Sequence, residues 1–297
     1  MITYQIKETI GLNFSPEFEN PIAVVNSLSK MFESIVSFQT ELIKRADPLI
    51  DIQFFLSDVR HGSILSDYIR SILIPEASDT TALPTVKGNL VEYSKLSQDE
   101  YMDSISENNG EIIKNDKVHE INNRIIKIAE TTGVTESGNY RPPNKLTIAS
   151  SLELLAESTS LLKIEDAFYF PNNTKTKEIR KVYTNIDYGE LKNEMASRVK
   201  ETDIHKTLTI KTADFLGKSK WKLKLENGKT IEVKILDNTW LEKFHAYSEM
   251  IGSGDFIEFD GSLKDIYDEY NNLIDSQYTI LKVKGLHHAD AKNELEF

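Results

Sequence analysis

The chain contains no cysteine. Thiol nucleophiles, thiolate metal sites and disulfide frameworks are therefore excluded together, and a reducing compartment is the natural home. No apolar run approaches the roughly 18 residues that a membrane-spanning helix needs. Met1 to Glu8 alternates apolar and polar residues, with neither the basic nor the apolar region of an export signal. A cytoplasmic protein with no membrane partner is expected, and the N-x-S/T matches at Asn13 and Asn172 then carry no meaning. Phosphate-loop, dinucleotide, nucleophile-elbow and zincin motifs are also missing. Gly252-Ser-Gly-Asp255 lacks the lysine of a phosphate loop and reads as a turn. No catalytic residue, metal site or cofactor is expected.

Basic residues are in deficit, 35 Lys and Arg against 47 Asp and Glu, and the net charge of -12 argues against a generic phosphate-binding surface while leaving room for a local patch. What is present is enough for a core: 297 residues, 39% of them hydrophobic, suit two domains without metal or disulfide support.

The pattern along the chain predicts an α+β fold, with a helix-rich N-terminal region holding a small sheet (residues 1–202). A small β-barrel-like module with one inserted helix follows (203–286), then a polar tail (287–297). A strand carries Ile2, Tyr4 and Ile6 on one face. Asn20-Pro21 then starts a long helix striped by Ile22, Val25, Leu28, Phe32, Ile35, Phe38 and Leu42. Leu49 to Val59 reads as a strand, and residues 63–74 fit either a strand or a helix, the favoured reading being a short strand running into a helix. Pro75 to Asn115 reads as a polar, mobile stretch with one helix near Thr85 to Lys95. Helices follow at Asp116–Thr132, Lys145–Leu162 and Tyr188–Val199, with two short strands at Phe168–Phe170 and Ile179–Tyr183.

In the C-terminal hairpin the side chains set the register. A three-residue Glu226-Asn227-Gly228 loop opposes Trp221 with Val233 and Leu223 with Ile231, whereas a two-residue turn would oppose Trp221 with Lys234, so the longer loop with a left-handed Gly228 is expected. Lys218, Lys220, Lys222 and Lys224 then project from one strand face, with Lys234 across from Lys220. Such a ribbon suits a nucleic-acid backbone or an acidic protein; the alternative is an edge strand whose lysines prevent aggregation, and this is the outcome expected.

Two further groups carry residue types of chemical interest. Asp58, Arg60 and His61 surround a turn after a strand, where acid-base groups often stand, although turns select such residues anyway. His287, His288 and Asp290 carry metal-ligand types, but adjacent histidines at a chain end read as a solvated tail.

The segment Ser57-Asp-Val-Arg-His-Gly-Ser-Ile64 and the C-terminal runs Phe215 to Trp221, Asp237 to Phe244 and Tyr278 to Val283 resemble a group of bacterial proteins of about this length, associated with mobile-element and phage-defence gene neighbourhoods. The resemblance implies the two-part architecture and transfers no functional residue. The function expected is that of a non-enzymatic interaction or regulatory subunit of a bacterial system, such as anti-phage defence, partnered by another protein of that system. A nucleic-acid-binding accessory and a hydrolase or nuclease assembled only by the fold are the alternatives.

Overall fold

The structure is a computed structural model that describes residues 2–14, 20–60, 64–75, 83–107, 110–171, 176–215, 220–246, 250–252 and 254–288. Its contacts divide the chain into two compact units, Met1–Leu191 and Lys192–Phe297. Among the described residues no helix is long and apolar enough to cross a membrane.

The N-terminal unit is a five-stranded antiparallel sheet covered by helices. Strands β1 (Ile2–Asn13), β2 (Asp51–Arg60), β3 (Ile64–Ile74), β5 (Ala167–Pro171) and β6 (Thr176–Ile179) lie in the order β2-β3-β1-β5-β6. A minor parallel pair joins β4 (Ile112–Ile113) to β7 (Tyr183–Thr184). The helices are α1 (Pro21–Ala46), α2 (Leu83–Ser106), α3 (Asn115–Thr131), α4 (Lys145–Ser160) and α5 (Tyr188–Met195).

Helix α1 starts where the capping signal placed it. The Asn20 side chain accepts a hydrogen bond from the Ala23 amide at 3.2 Å, and Pro21 stands in the first turn. Its buried stripe is Val24, Met31, Ile35, Phe38 and Leu42, whereas Ile22 and Val25 are exposed, so the expected stripe holds only beyond the second turn.

The fold-class expectation needs correction in both units. The N-terminal sheet is not small, since three of its strands span 10 to 12 residues. Residues 64–74 are strand throughout. Lying between β1 and β2, they have ladder partners on both sides, and this pairing overrides the helical spacing of Ile64, Tyr68, Ile69 and Ile72. The stretch expected to be polar and mobile holds the 24-residue α2, with Leu90, Tyr93, Tyr101, Met102 and Ile105 buried. The helix expected near Thr85 to Lys95 is its first half, and polar residues disguise the rest. Ser94 donates to Gln39 Oε1 at 2.7 Å and Gln39 Nε2 donates to Gln98 at 2.8 Å, so polar side chains form a buried seam between α1 and α2.

The C-terminal unit consists of β8 (Arg198–Thr212), β9 (Trp221–Lys224), β10 (Thr230–Ile235), helix α6 (Asn238–His245), β11 (Phe256–Tyr267) and β12 (Leu273–His287). Strand pairing begins at Arg198, eleven residues after Asp187 and upstream of the expected boundary at 203, and it ends the expected Tyr188–Val199 helix at Met195. The pairings run β10-β12-β11-β8-β9 and back to β10, with β10 parallel to β12. The small barrel-like module is nevertheless corrected. Strand β9 meets only residues 209–212 of the 15-residue β8, and β10 meets only residues 278–280 of the 15-residue β12. The long strands β8, β11 and β12 run on past these joints as a three-stranded antiparallel sheet, and Arg198 to Asp203 of that extension is exposed.

Candidate nucleic-acid interface

The alternating sequence of the β9–β10 hairpin divides it into two faces. Trp221 and Leu223 point inward with Ile231, Val233 and Ile235, while Lys220, Lys222, Lys224, Glu232 and Lys234 are exposed. The register is the one the side chains predict: Trp221 opposes Val233 and Leu223 opposes Ile231. Gly228 has φ +83, a conformation glycine adopts without strain, and its amide donates to the Leu225 carbonyl at 2.8 Å.

Helix α6 locks this hairpin from inside. Trp240 and Phe244 stack with ring centroids 5.6 Å apart, and the Trp221 ring meets them edge-on at 5.6 and 5.1 Å. Asp237 caps the helix by accepting from the Trp240 amide at 3.0 Å, and its other oxygen accepts from the Val283 amide of β12 at 3.0 Å. Trp221 is therefore core, as expected, and is unavailable as a stacking surface.

Strand β9 has partners on both sides, β8 and β10, which overturns the edge-guarding account of its lysines. Alternate residues on one strand stand about 6.8 Å apart, so Lys220, Lys222 and Lys224 form a row that Lys234 of β10 and Lys211 of β8 widen. Lys222 opposes Glu232 in register, and Lys220 reaches the same carboxylate at 3.8 Å. Lys222, Lys224 and Lys234 make no ion pair with a described residue. The charge is also unevenly shared: the N-terminal unit carries 19 basic and 28 acidic residues, the C-terminal unit 16 and 19, so most of the repelling field belongs to the other unit.

A cleft of about 580 Å³ adjoins the row. It lies where β10 and β12 have not yet met, because their parallel pairing starts only at Val233 and Tyr278. Lys192, Lys220, Lys229 and Lys234 line it together with Glu232, Asp275 and the half-buried Tyr278. Lys192 pairs with Asp275 at 3.1 Å. Burial pushes the Tyr278 phenol up, with the Asp265 carboxylate adding to the effect, so the hydroxyl stays protonated and can donate a hydrogen bond.

The histidines form a cluster that the sequence did not disclose. His205 of β8 touches Asp260 at 2.8 Å and Glu258 at 3.3 Å, both on β11, and His287 of β12 reaches the other Glu258 oxygen at 3.0 Å. Lys284 also holds Asp260, at 2.6 Å. The Lys284 and His205 contacts keep the Asp260 carboxyl below the usual carboxylate range. His287 thus belongs to β12 rather than to a frayed tail, and His288 bonds Asp255 at 2.9 Å. Residues 55 positions apart meet here only through strand pairing; the one legible sign was that His205 and Asp260 each fall on a strand. No group of three metal-ligating side chains occurs among the described residues.

Of the Asp58, Arg60 and His61 turn, only part falls within the described residues. Asp58 follows a β-bulge at Ser57 and lies opposite Asp67, Arg60 opposes Leu65, and His61 lies outside the described residues, as do Lys218 and Asp290. The N-terminal unit has its own cavity, about 620 Å³, lined by Glu8, Tyr68, Asp99, Phe170 and Lys177 among others. Its charges are largely committed. Lys177 pairs with Asp99 at 3.4 Å and Asp103 at 3.0 Å, and Glu8 with the fully buried Arg70 at 3.2 Å.

Compared with protein-family models, curated proteins and solved structures, the chain matches none.

Proposed function

We propose that the chain is a nucleic-acid-binding accessory protein that holds single strands on the outer face of β9 and β10. The carrying observation is the lysine row on a strand paired on both sides, where edge protection gives no reason for it. Lys220, Lys222, Lys224 and Lys234 would neutralise backbone phosphates, and the cleft beside Tyr278 has room for an unstacked base but not for a duplex. The partner is then nucleic acid rather than another protein of the same system.

Fluorescence anisotropy with a labelled single strand of about 20 nucleotides tests this. Micromolar or tighter binding that weakens steeply with salt, and that exceeds binding to the matching duplex, is expected. Absence of binding at low salt, or binding that survives K220Q/K222Q/K224Q unchanged, would overturn it.

A further inference from the structure

We infer that the cavity of the N-terminal unit binds a mononucleotide. Residues of β1, β3 and β5 form one wall of this cavity and α2 forms another, turning Val91, Lys95, Gln98 and Met102 toward it at the four- and three-residue spacing of one helix face. Its volume of about 620 Å³ falls within the roughly 300–1,000 Å³ of small-molecule sites. Two buried polar atoms on residues of the lining have no hydrogen-bond partner among the described residues, one a donor and one an acceptor: Gln98 Nε2 and Glu8 Oε2. Leaving such an atom unpaired costs about 1–3 kcal/mol, which a ligand with the complementary groups removes.

The neighbouring bonds fix which atom is left over. The Ser94 carbonyl can only accept, so Gln39 turns its amide nitrogen to it, at 3.2 Å, while the Ser94 hydroxyl donates to Gln39 Oε1 at 2.7 Å. The same Gln39 nitrogen donates to Gln98 Oε1 at 2.8 Å, which leaves Gln98, only 5% exposed, with its oxygen used and its donor unused. Glu8 lies on β1 directly opposite Tyr68 of β3, and its Oε1 accepts from Arg70 at 3.2 Å while Oε2 accepts nothing. Both atoms are covered while the cavity is empty. The last torsion of Glu and Gln is broad, so a small turn presents each to a ligand. The edge of a nucleobase sets an N–H beside an acceptor, the pair that Glu8 and Gln98 lack, and its flat faces suit walls that include Tyr68, Phe170 and Met102. At the rim, Lys95 and Glu92 are exposed and make no ion pair or hydrogen bond with a described residue. The ammonium suits the phosphate and the carboxylate the ribose hydroxyls. A free amino acid also brings a donor and an acceptor, but it would leave most of the volume unfilled.

Isothermal titration calorimetry of the full chain with AMP, GMP, CMP and UMP, and with ribose 5-phosphate as a probe without a base, tests this. At least one nucleotide should bind with Kd below about 100 μM, and ribose 5-phosphate at least about tenfold more weakly. K95Q, at an exposed position, should weaken that nucleotide about tenfold, the worth of one charge-assisted hydrogen bond, with unchanged melting. Q98E keeps the oxygen that Gln39 holds and turns the unused donor into an acceptor, so it should weaken binding by at least about tenfold. Circular dichroism matching the parent's checks that each variant folds, and K95Q alone keeps the test decisive should Q98E not fold. No binding of any of the four up to about 5 mM, equal binding of ribose 5-phosphate, or K95Q binding as the parent does would overturn the inference. K220Q/K222Q/K224Q should bind the nucleotide unchanged; loss there would move the nucleotide to the other unit and overturn it equally. None of these outcomes depends on whether single strands bind.

Discussion

The two units use charge in opposite ways. In the N-terminal unit positive side chains are drawn into the packing: the Arg70 guanidinium is fully buried against Glu8, Arg45 bonds Glu41 at 2.6 Å, and Lys177 is nearly covered between Asp99 and Asp103. In the C-terminal unit the lysines of β9 and β10 stand in water, and Trp221, Trp240 and Phe244 carry the packing behind them. Removing charge from the first unit should therefore cost stability, and removing it from the second should cost binding.

The largest expected effect is on stability. Arg70 is entirely inaccessible while its Nε and Nη1 have no hydrogen-bond partner among the described residues, so Arg70→Met removes a costly group but leaves the Glu8 carboxylate without its counter-ion. Breaking such a pair typically costs about 3–5 kcal/mol, and the lower end is expected because Glu8 keeps some access to water. Both tryptophans lie in the C-terminal unit, so urea unfolding followed by circular dichroism should shift while the tryptophan fluorescence transition stays in place. R70M/E8Q should recover most of the loss; equal destabilisation of the double variant would remove the ion pair from the explanation.

Next in size is a backbone constraint in the other unit. A Cβ on Gly261 would stand 2.2 Å from the Thr279 carbonyl oxygen, in the β11–β12 ladder beside a register shift. Gly261→Ala should cost about 1–3 kcal/mol, the usual range for forced overpacking, and this time the tryptophan transition should move. An unshifted transition would mean that the ladder yields at that point.

Smaller in free energy but decisive for the proposed nucleic-acid binding, K220Q/K222Q/K224Q should lower the dependence of log affinity on log salt by about 2, given roughly 0.7 per single-strand phosphate contact. Melting should change by less than about 0.5 kcal/mol, as exposed substitutions usually do. A large loss of stability with an unaltered salt slope would reverse the contrast between the units.

The smallest effect concerns pH. Lys284 and His205 hold Asp260 below its ordinary value of 3.8, so its contribution is fully present above that value and is lost as pH falls through the lower folded value. Asp260→Asn should lower stability slightly at neutral pH and, by about the same small amount, flatten the acid limb of the tryptophan transition. An acid limb identical to the parent's would show that the network contributes nothing measurable.

Local signals were read well where local chemistry decides. The Asn20-Pro21 helix start and the register of the β9–β10 hairpin follow from capping geometry and from matching apolar residues across a turn, both of which act over a few residues. The second half of α2, beyond the helix expected near Thr85 to Lys95, is hidden in the sequence because Ser97 and Gln98 look solvent-facing until Gln39, more than fifty positions away, is seen bonding to their neighbourhood. The lysine row was legible as alternation. Its meaning was misjudged, since nothing near Lys222 in sequence tells whether β9 is an edge or lies between two partners.

By itself the sequence determined which faces are apolar, where most helices begin, how the hairpin turns and that lysines share one strand face, because periodicity and turn chemistry are short-range. Only the tertiary structure decided that residues 64–74 are strand, that β9 lies between β8 and β10, that His205, Glu258 and His287 meet, and that β2 is left with an open side. Each of those depends on hydrogen-bond partners supplied by residues distant in the chain, and a strand's backbone groups carry no record in their own sequence of which partner will satisfy them.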